Sequence, residues 1–149
     1  MIRREVSLWI GAARGDLLDA EDALERGRWF RTAFFAQQTV EKAFKALFFV
    51  AKRGEPPKIR AVTELYAILK ESGFAPSPEL EEQSRVLNKY YTVTRYPDAA
   101  NGLPSESVDR VEAERAYNLA RRVLEHVERY AEQGPRSCGA ALGRAIEEG

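Results

Sequence analysis

The 149-residue chain contains one cysteine and one histidine, so it is poor in the side chains that most often build metal cages and catalytic pairs. The single cysteine, Cys138, cannot form an internal disulfide, which is typical of proteins from a reducing compartment. A zinc site of nitrogen and sulfur ligands needs more of these residues than the chain offers. A glycine-rich phosphate loop is also missing. The sequence therefore predicts neither a metal site nor a cofactor.

Long hydrophobic runs and an excess of one charge are missing as well. No apolar run approaches the roughly 20 residues that a membrane-spanning helix needs, and early charged residues interrupt any signal-peptide core. Lys and Arg together number 23, as do Asp and Glu, so the formal net charge is zero. Such a chain has no bulk attraction to nucleic acid or an anionic membrane, although a local basic patch is compatible with this balance. We expect a cytoplasmic protein without a membrane partner.

Nearly every periodic segment has the three- and four-residue spacing of an amphipathic helix, and no alternation is sustained long enough to predict a sheet. The hydrophobic fraction of 44% supplies one core, and the length suits one domain. The spacing predicts helices over about 2–26, 28–52, 59–72, 78–92 and, from a start between 105 and 109, to about 133. Short connections favour an all-α, up-and-down four-helix bundle with one additional short helix.

The composition changes after residue 133, where glycine, proline, serine and alanine become frequent. Such a chain end is expected to be poorly ordered or weakly helical. We therefore predict a helical-bundle domain over residues 1–133 and a flexible C-terminal tail over residues 134–149.

The second predicted helix carries a polar stripe. Gln38, Glu41, Lys42 and Lys45 recur every three or four positions, so they share one helix face. Aromatic residues occupy much of the remaining circumference, which indicates packing on more than one side. One interpretation is a solvated face with ion pairs worth a few tenths of a kcal/mol each. The other is a partly buried groove or dimer seam, whose amide and ammonium groups meet a phosphate or a partner's carboxylate.

A short polar motif follows the fourth predicted helix. Pro97 disfavours the helical conformation at Tyr96, so the helix should end there and present Arg95, Tyr96 and Asp98 together. The guanidinium of Arg95 can make a two-pronged contact with a phosphate or a carboxylate. The alternative is a rigid turn in which Arg95 pairs with Asp98 or a carbonyl group.

These two motifs, QQTVEKAFKAL at residues 37–47 and RYPD at residues 95–98, resemble those of the HEPN (higher eukaryote and prokaryote nucleotide-binding) domain family. The resemblance covers about residues 12–130, because residues 16–20 and 27–29 match the family's first helix and first turn. It implies a four- or five-helix bundle that forms a homodimer. It also implies a small prokaryotic protein encoded with a minimal nucleotidyltransferase, often as a toxin–antitoxin pair.

Some members of that family are metal-independent ribonucleases that use an arginine and a histidine, four to six residues apart, from both subunits of a dimer cleft. The only histidine here is His126, and Arg121 precedes it at this spacing. Both lie in the last predicted helix, where five residues turn the chain by about 500° and leave the two side chains about 140° apart. Arg95 matches the family's arginine better, but no histidine follows it within six residues. The sequence therefore does not favour the ribonuclease.

The resemblance and the polar stripe together predict a homodimeric binding or regulatory protein rather than an enzyme. Its cleft would receive a nucleotide, an RNA or a partner nucleotidyltransferase. The candidate site residues are Gln38, Glu41, Lys42, Lys45, Arg95, Tyr96 and Asp98. A ribonuclease toxin that uses Arg121 and His126, and a purely structural helical dimer, are the two alternatives.

Overall fold

The structure is a computed structural model that describes residues 4–51, 62–71, 78–93 and 108–148. These ranges contain five helices and no strand. The helices are α1 (Arg4–Glu25), α2 (Trp29–Ala51), α3 (Val62–Glu71), α4 (Pro78–Val93) and α5 (Arg110–Glu148). The prediction of an all-α protein with four main helices and one shorter helix is confirmed, and α3 is the shorter one.

A tight glycine turn joins α1 to α2. Gly27 has a φ of 72°, which lies in the left-handed region that glycine adopts without steric cost. The N–H of Arg28 donates to the carbonyl of Ala23 at 2.8 Å, and the N–H of Gly27 donates to the carbonyl of Leu24 at 3.2 Å. These two bonds form a Schellman cap, which satisfies the last carbonyls of α1 and reverses the chain. As a result, α1 and α2 form an antiparallel hairpin.

The second helix is the centre of the bundle, because α1, α3, α4 and α5 all pack against it. Val40, Phe44 and Leu47 of α2 are fully buried in the main core, and Leu65 of α3 and Leu87 of α4 join them there. Burying side chains of this size contributes roughly 1.5–3 kcal/mol each relative to exposure. The packing of α2 on more than one side, as predicted, follows from this central position.

The last helix begins at a side-chain cap and packs against α1 and α2. Asp109 accepts a hydrogen bond from the N–H of Glu112 at 2.8 Å, which is the contact that an N-cap residue makes. The hydroxyl of Tyr117 donates to Glu21 of α1 at 2.9 Å, and Arg14 of α1 pairs with Glu128. These two polar contacts therefore join α1 and α5 at two separate points.

Helical backbone continues through residues 134–148, beyond the end predicted at about 133. Alanine, leucine, arginine and glutamate are frequent from residue 140 onward, and these residues are good helix formers. The prediction gave more weight to the glycine and proline at 134 and 135. A helical backbone does not show whether this segment moves, so its predicted flexibility stays a prediction.

Replacing Gly27 by alanine should destabilise the protein by about 1–2 kcal/mol, because a Cβ opposes the left-handed conformation. The same change at Gly11 should stabilise the protein by up to about 1 kcal/mol, since alanine favours a helix interior. A Cβ at Gly11 meets nothing within 4 Å, which makes it a matched control. Urea unfolding measures both free energies, and equal effects would contradict this description of the turn.

Candidate functional site

The polar stripe of α2 is buried in the described structure. The exposed fraction is 8% for Gln38, 3% for Glu41 and 8% for Lys45, and Lys42 is partly exposed. The interpretation of a solvated face is therefore wrong for the first three residues. These residues are buried within the subunit, in a seam where α1 covers one side of the stripe. A binding groove or dimer interface along the stripe stays a prediction.

The ammonium group of Lys45 lies at the centre of this seam. Its Nζ is 3.1 Å from Glu41 Oε2, one helical turn away. The same Nζ also lies 5.5 Å from the centre of the Trp9 ring on α1. A cation near an aromatic ring and a carboxylate is stabilised by both. These contacts offset the cost of removing two charges from water, so each charge depends on the other.

A second ion pair lies closer to the turn. Lys42 Nζ is 2.6 Å from Asp16 Oδ2 on α1, with side chains that are 28% and 14% exposed. The distance is that of a close ion pair, although Asp16 Oδ2 has no hydrogen-bond partner among the described residues. Gln38 Nε2 donates to Gln37 Oε1 at 2.7 Å. The basic and amide groups of the stripe are therefore used within one subunit.

Glu41 is incompletely satisfied. Its Oε1 atom is buried and has no hydrogen-bond partner among the residues that the structure describes, whereas its Oε2 atom holds Lys45. A buried acceptor without a donor costs about 1–3 kcal/mol, and more when it is charged. Native structures retain few such groups, and each requires an explanation. Glu41 can accept one further donor without releasing Lys45.

Sequence reasoning missed Trp9 and Asp16, which contact the stripe from α1. A signal for Trp9 was present, because Trp9 and Lys45 are each 18 residues from Gly27. In an antiparallel hairpin that turns at this glycine, residues at equal distances from the turn lie opposite each other. The pairing of Asp16 with Lys42 is offset from this simple register, so counting alone would not have found it.

The other predicted binding residues, Arg95, Tyr96 and Asp98, lie outside the described residues. Their approach to the α2 stripe stays a prediction. The helix that precedes them is described, and its buried Tyr90 donates a hydrogen bond to Glu112 of α5 at 2.9 Å. Burial raises the pKa of Tyr90, and this hydrogen bond raises it further by a smaller amount. This contact fixes the last turns of α4 against α5.

The residues of the ribonuclease alternative, Arg121 and His126, lie in the uninterrupted helix α5. Helical geometry therefore separates the directions of their side chains by about 140°. Arg121 is exposed and its Nη1 lies 3.3 Å from Glu125. Burial, with a smaller repulsion from Arg129, lowers the pKa of His126. Within one subunit, the two residues do not form a catalytic pair.

Within the ranges that are described, no group of acidic, histidine or cysteine side chains could hold a metal ion. Among those same helices, none combines the length and the apolar character that crossing a membrane requires.

Comparison with known proteins identifies the family. The model of the HEPN domain matches residues 6–130. The structure is similar to that of TT1696 from Thermus thermophilus, with 36% identity, a TM-score of 0.76, and coverage of 85% of this chain and 98% of that one. No curated protein matches the chain. The chain belongs to the HEPN domain family, as its two motifs predicted.

Two further solved structures support the same assignment. ST0689, an archaeal HEPN homologue, is 28% identical with a TM-score of 0.69, and the match covers 85% of this chain and 97% of that one. The HEPN domain protein TM0613 from Thermotoga maritima is 28% identical with a TM-score of 0.63, covering 80% of this chain and 93% of that one. The similarity therefore extends over nearly the full length of all three structures.

Replacing Lys45 by methionine should lower the free energy of unfolding by about 3 kcal/mol, because it leaves the carboxylate of Glu41 buried and unpaired. The matched control is Arg121→Met, which also breaks an ion pair one turn apart, but an exposed one. That change should cost no more than about 0.5 kcal/mol. Chemical denaturation measures the free energy of unfolding of both variants. Similar decreases would show that burial of the Glu41–Lys45 pair has no energetic consequence.

The pKa of His126 should lie below its ordinary value of about 6.5. The unfolded chain then binds this proton at a higher pH than the folded chain, so stability falls as the pH is lowered through 6.5. The decrease ends below the folded-state pKa. NMR titration of the single histidine measures the shift, and His126→Gln should remove this part of the pH dependence. A value above 6.5 would contradict the prediction.

Proposed function

We propose that this HEPN protein is a homodimeric binding or regulatory protein and the partner of a minimal nucleotidyltransferase in a toxin–antitoxin-like pair. Its polar seam on α2 would receive a nucleotide, an RNA or the partner protein. The observation that carries the proposal is the buried Oε1 atom of Glu41, which has no donor in the described part of the subunit. A donor from a second molecule would complete the cluster once a side chain that covers this atom moves aside.

The composition of the seam supports a binding role over a purely structural one. Gln38, Glu41 and Lys45 are each at least nine-tenths buried. Replacing a buried ion pair by apolar residues of similar volume is often neutral or stabilising, so stability alone gives no reason to retain one. The adjacent buried positions of α2, such as Phe44 and Phe48, are apolar. Polar groups at this position are more consistent with recognition than with packing.

The position of α4 supports the participation of the RYPD motif. Tyr90, near the end of α4, belongs to the core that also contains Phe44 of α2. The chain therefore leaves α4 after Val93 from a helix that packs on α2. In the proposed dimer, Arg95 supplies a guanidinium to the cleft, where a carboxylate or phosphate can accept its hydrogen bonds.

Light scattering and co-purification test this proposal. We expect the mass of a dimer at micromolar concentration, and a complex with the nucleotidyltransferase encoded beside this protein's gene. Glu41→Gln should weaken that complex by about tenfold, as expected when a charge-assisted hydrogen bond is lost. Glu125→Gln is the matched control, because it neutralises an exposed carboxylate that also pairs one turn away.

The double variant Glu41→Gln/Lys45→Met separates binding from folding. Removing both charges together avoids an unpaired buried ion, so the variant should stay folded. Loss of the complex by this folded variant would support the proposal. A monomer at all concentrations, or a complex that both Glu41 variants leave unchanged, would overturn it.

A further inference from the structure

A groove of about 390 Å³ opens at the end of the hairpin where α1 turns into α2. None of the stripe residues lines it. Its charged and aromatic lining consists of Asp19, Asp22, Arg26, Arg28, Arg31 and Phe35. Ligand pockets in proteins typically have volumes of about 300–1,000 Å³, so a small organic ligand would fit.

Two of the three arginines in the groove have no anionic partner among the described residues. Arg26 Nε lies 3.1 Å from both carboxylate oxygens of Asp22, so these two residues neutralise each other. Across the described ranges, neither Arg28 nor Arg31 forms an ion pair. The guanidinium of Arg31 lies 5.4 Å from the centre of the Phe30 ring. The groove therefore has two arginines without an ion pair, and its three arginines and two aspartates leave one excess positive charge.

Arg28 and Arg31 lie at the end of α2 where the helix dipole disfavours a positive charge. Arg28 precedes α2 directly, and Arg31 lies in its first turn, which contains no acidic residue. Positive side chains at a helix N-terminus are repelled by the helix dipole. The sequence thus places two cations where they reduce stability, and departures of this kind are expected at functional sites.

The backbone beneath these arginines is held firmly. Arg28 contributes its N–H to the cap of α1, and its carbonyl accepts hydrogen bonds from the N–H and the hydroxyl of Thr32, both at 3.0 Å. Arg28, Arg31 and Phe35 follow one another at three and four residues, so they share one face of α2. The positive side of the groove is therefore built on a fixed segment.

We propose that this groove binds a phosphorylated sugar, as found in a mononucleotide or at the phosphorylated end of an RNA. The guanidinium groups of Arg28 and Arg31 bind the phosphoryl group, for which arginine provides paired donors. Asp19, on the α1 side and without an ion pair in the described structure, accepts hydrogen bonds from the sugar hydroxyls. The site does not depend on the α2 seam or on dimer formation.

Calorimetry with AMP and adenosine tests the phosphoryl contact. The wild-type protein should bind AMP at least about tenfold more tightly than adenosine, and Arg28→Gln/Arg31→Gln should remove this difference. The control is Arg85→Gln/Arg110→Gln, which also removes two positive charges from exposed arginines that are each paired with a glutamate. It should retain wild-type affinity for AMP.

Two short RNAs, one with a 5′-phosphate and one with a 5′-hydroxyl, distinguish the sources of the sugar phosphate. Tighter binding of the phosphorylated RNA than of AMP assigns the groove to RNA ends, whereas equal or weaker binding assigns it to mononucleotides. Inorganic phosphate that binds as tightly as AMP would overturn the proposal. So would AMP affinity that is unchanged in Arg28→Gln/Arg31→Gln, or no binding of any of these probes at millimolar concentration.

Thermal unfolding supplies a readout that separates binding from structure. Without ligand, Arg28→Gln/Arg31→Gln should melt at the same temperature as the wild type or higher, because the change removes repulsion from the helix dipole. A lower melting temperature would show that the arginines are structural, and would count against the site. Dimer mass and nucleotidyltransferase binding are measured on the same variant, so failure of this inference and failure of the proposed function give different results.

Discussion

The reversal of the chain at Gly27 determines which groups meet in this protein. The left-handed residue and its two capping hydrogen bonds bring α2 back along α1. This places Trp9 beside Lys45 and Asp16 beside Lys42. The same turn forms the end of the groove that contains the two arginines without an ion pair. Both the seam and the groove therefore depend on one local backbone conformation.

The seam buries charged groups that pair with one another, and it leaves two carboxylate oxygens, Asp16 Oδ2 and Glu41 Oε1, without a hydrogen-bond donor among the described residues. Lys45 is compensated by a carboxylate and an aromatic ring, and Lys42 by a second carboxylate. Within the described structure, the acceptor left without a donor on the Lys45 side is one oxygen of Glu41. Because this oxygen is buried within the subunit, a donor from outside can reach it only when a side chain that covers it moves aside.

The helices could be predicted from sequence because each has an apolar stripe of the right period and a clear stop signal. Gly27 marked the first turn correctly, and its cap explains why. The family could be predicted from the motifs at residues 37–47 and 95–98. Burial of the α2 stripe was one of two open interpretations, because periodicity shows which residues share a face but not what covers it.

Other features depended on tertiary contacts that no local pattern contains. The pairing of Asp16 with Lys42 follows from the way in which α1 lies on α2, and the orphan oxygen of Glu41 appears only when its neighbours are known. The arginines at the turn were not predicted as site residues, because a formal net charge of zero does not show where like charges cluster. A helical backbone beyond residue 133 was one of two open expectations, because glycine and proline oppose the helix formers that follow them.

The chain has two tryptophans, and the hairpin places one near each of the two regions described above. The Trp9 ring faces the ammonium of Lys45, and the Trp29 ring lies 3.7 Å from where a Cβ of Gly27 would be. The indole fluorescence of the protein thus originates at the seam and at the turn. A single tryptophan-to-phenylalanine change would leave an optical reporter for just one of these regions, without an added label.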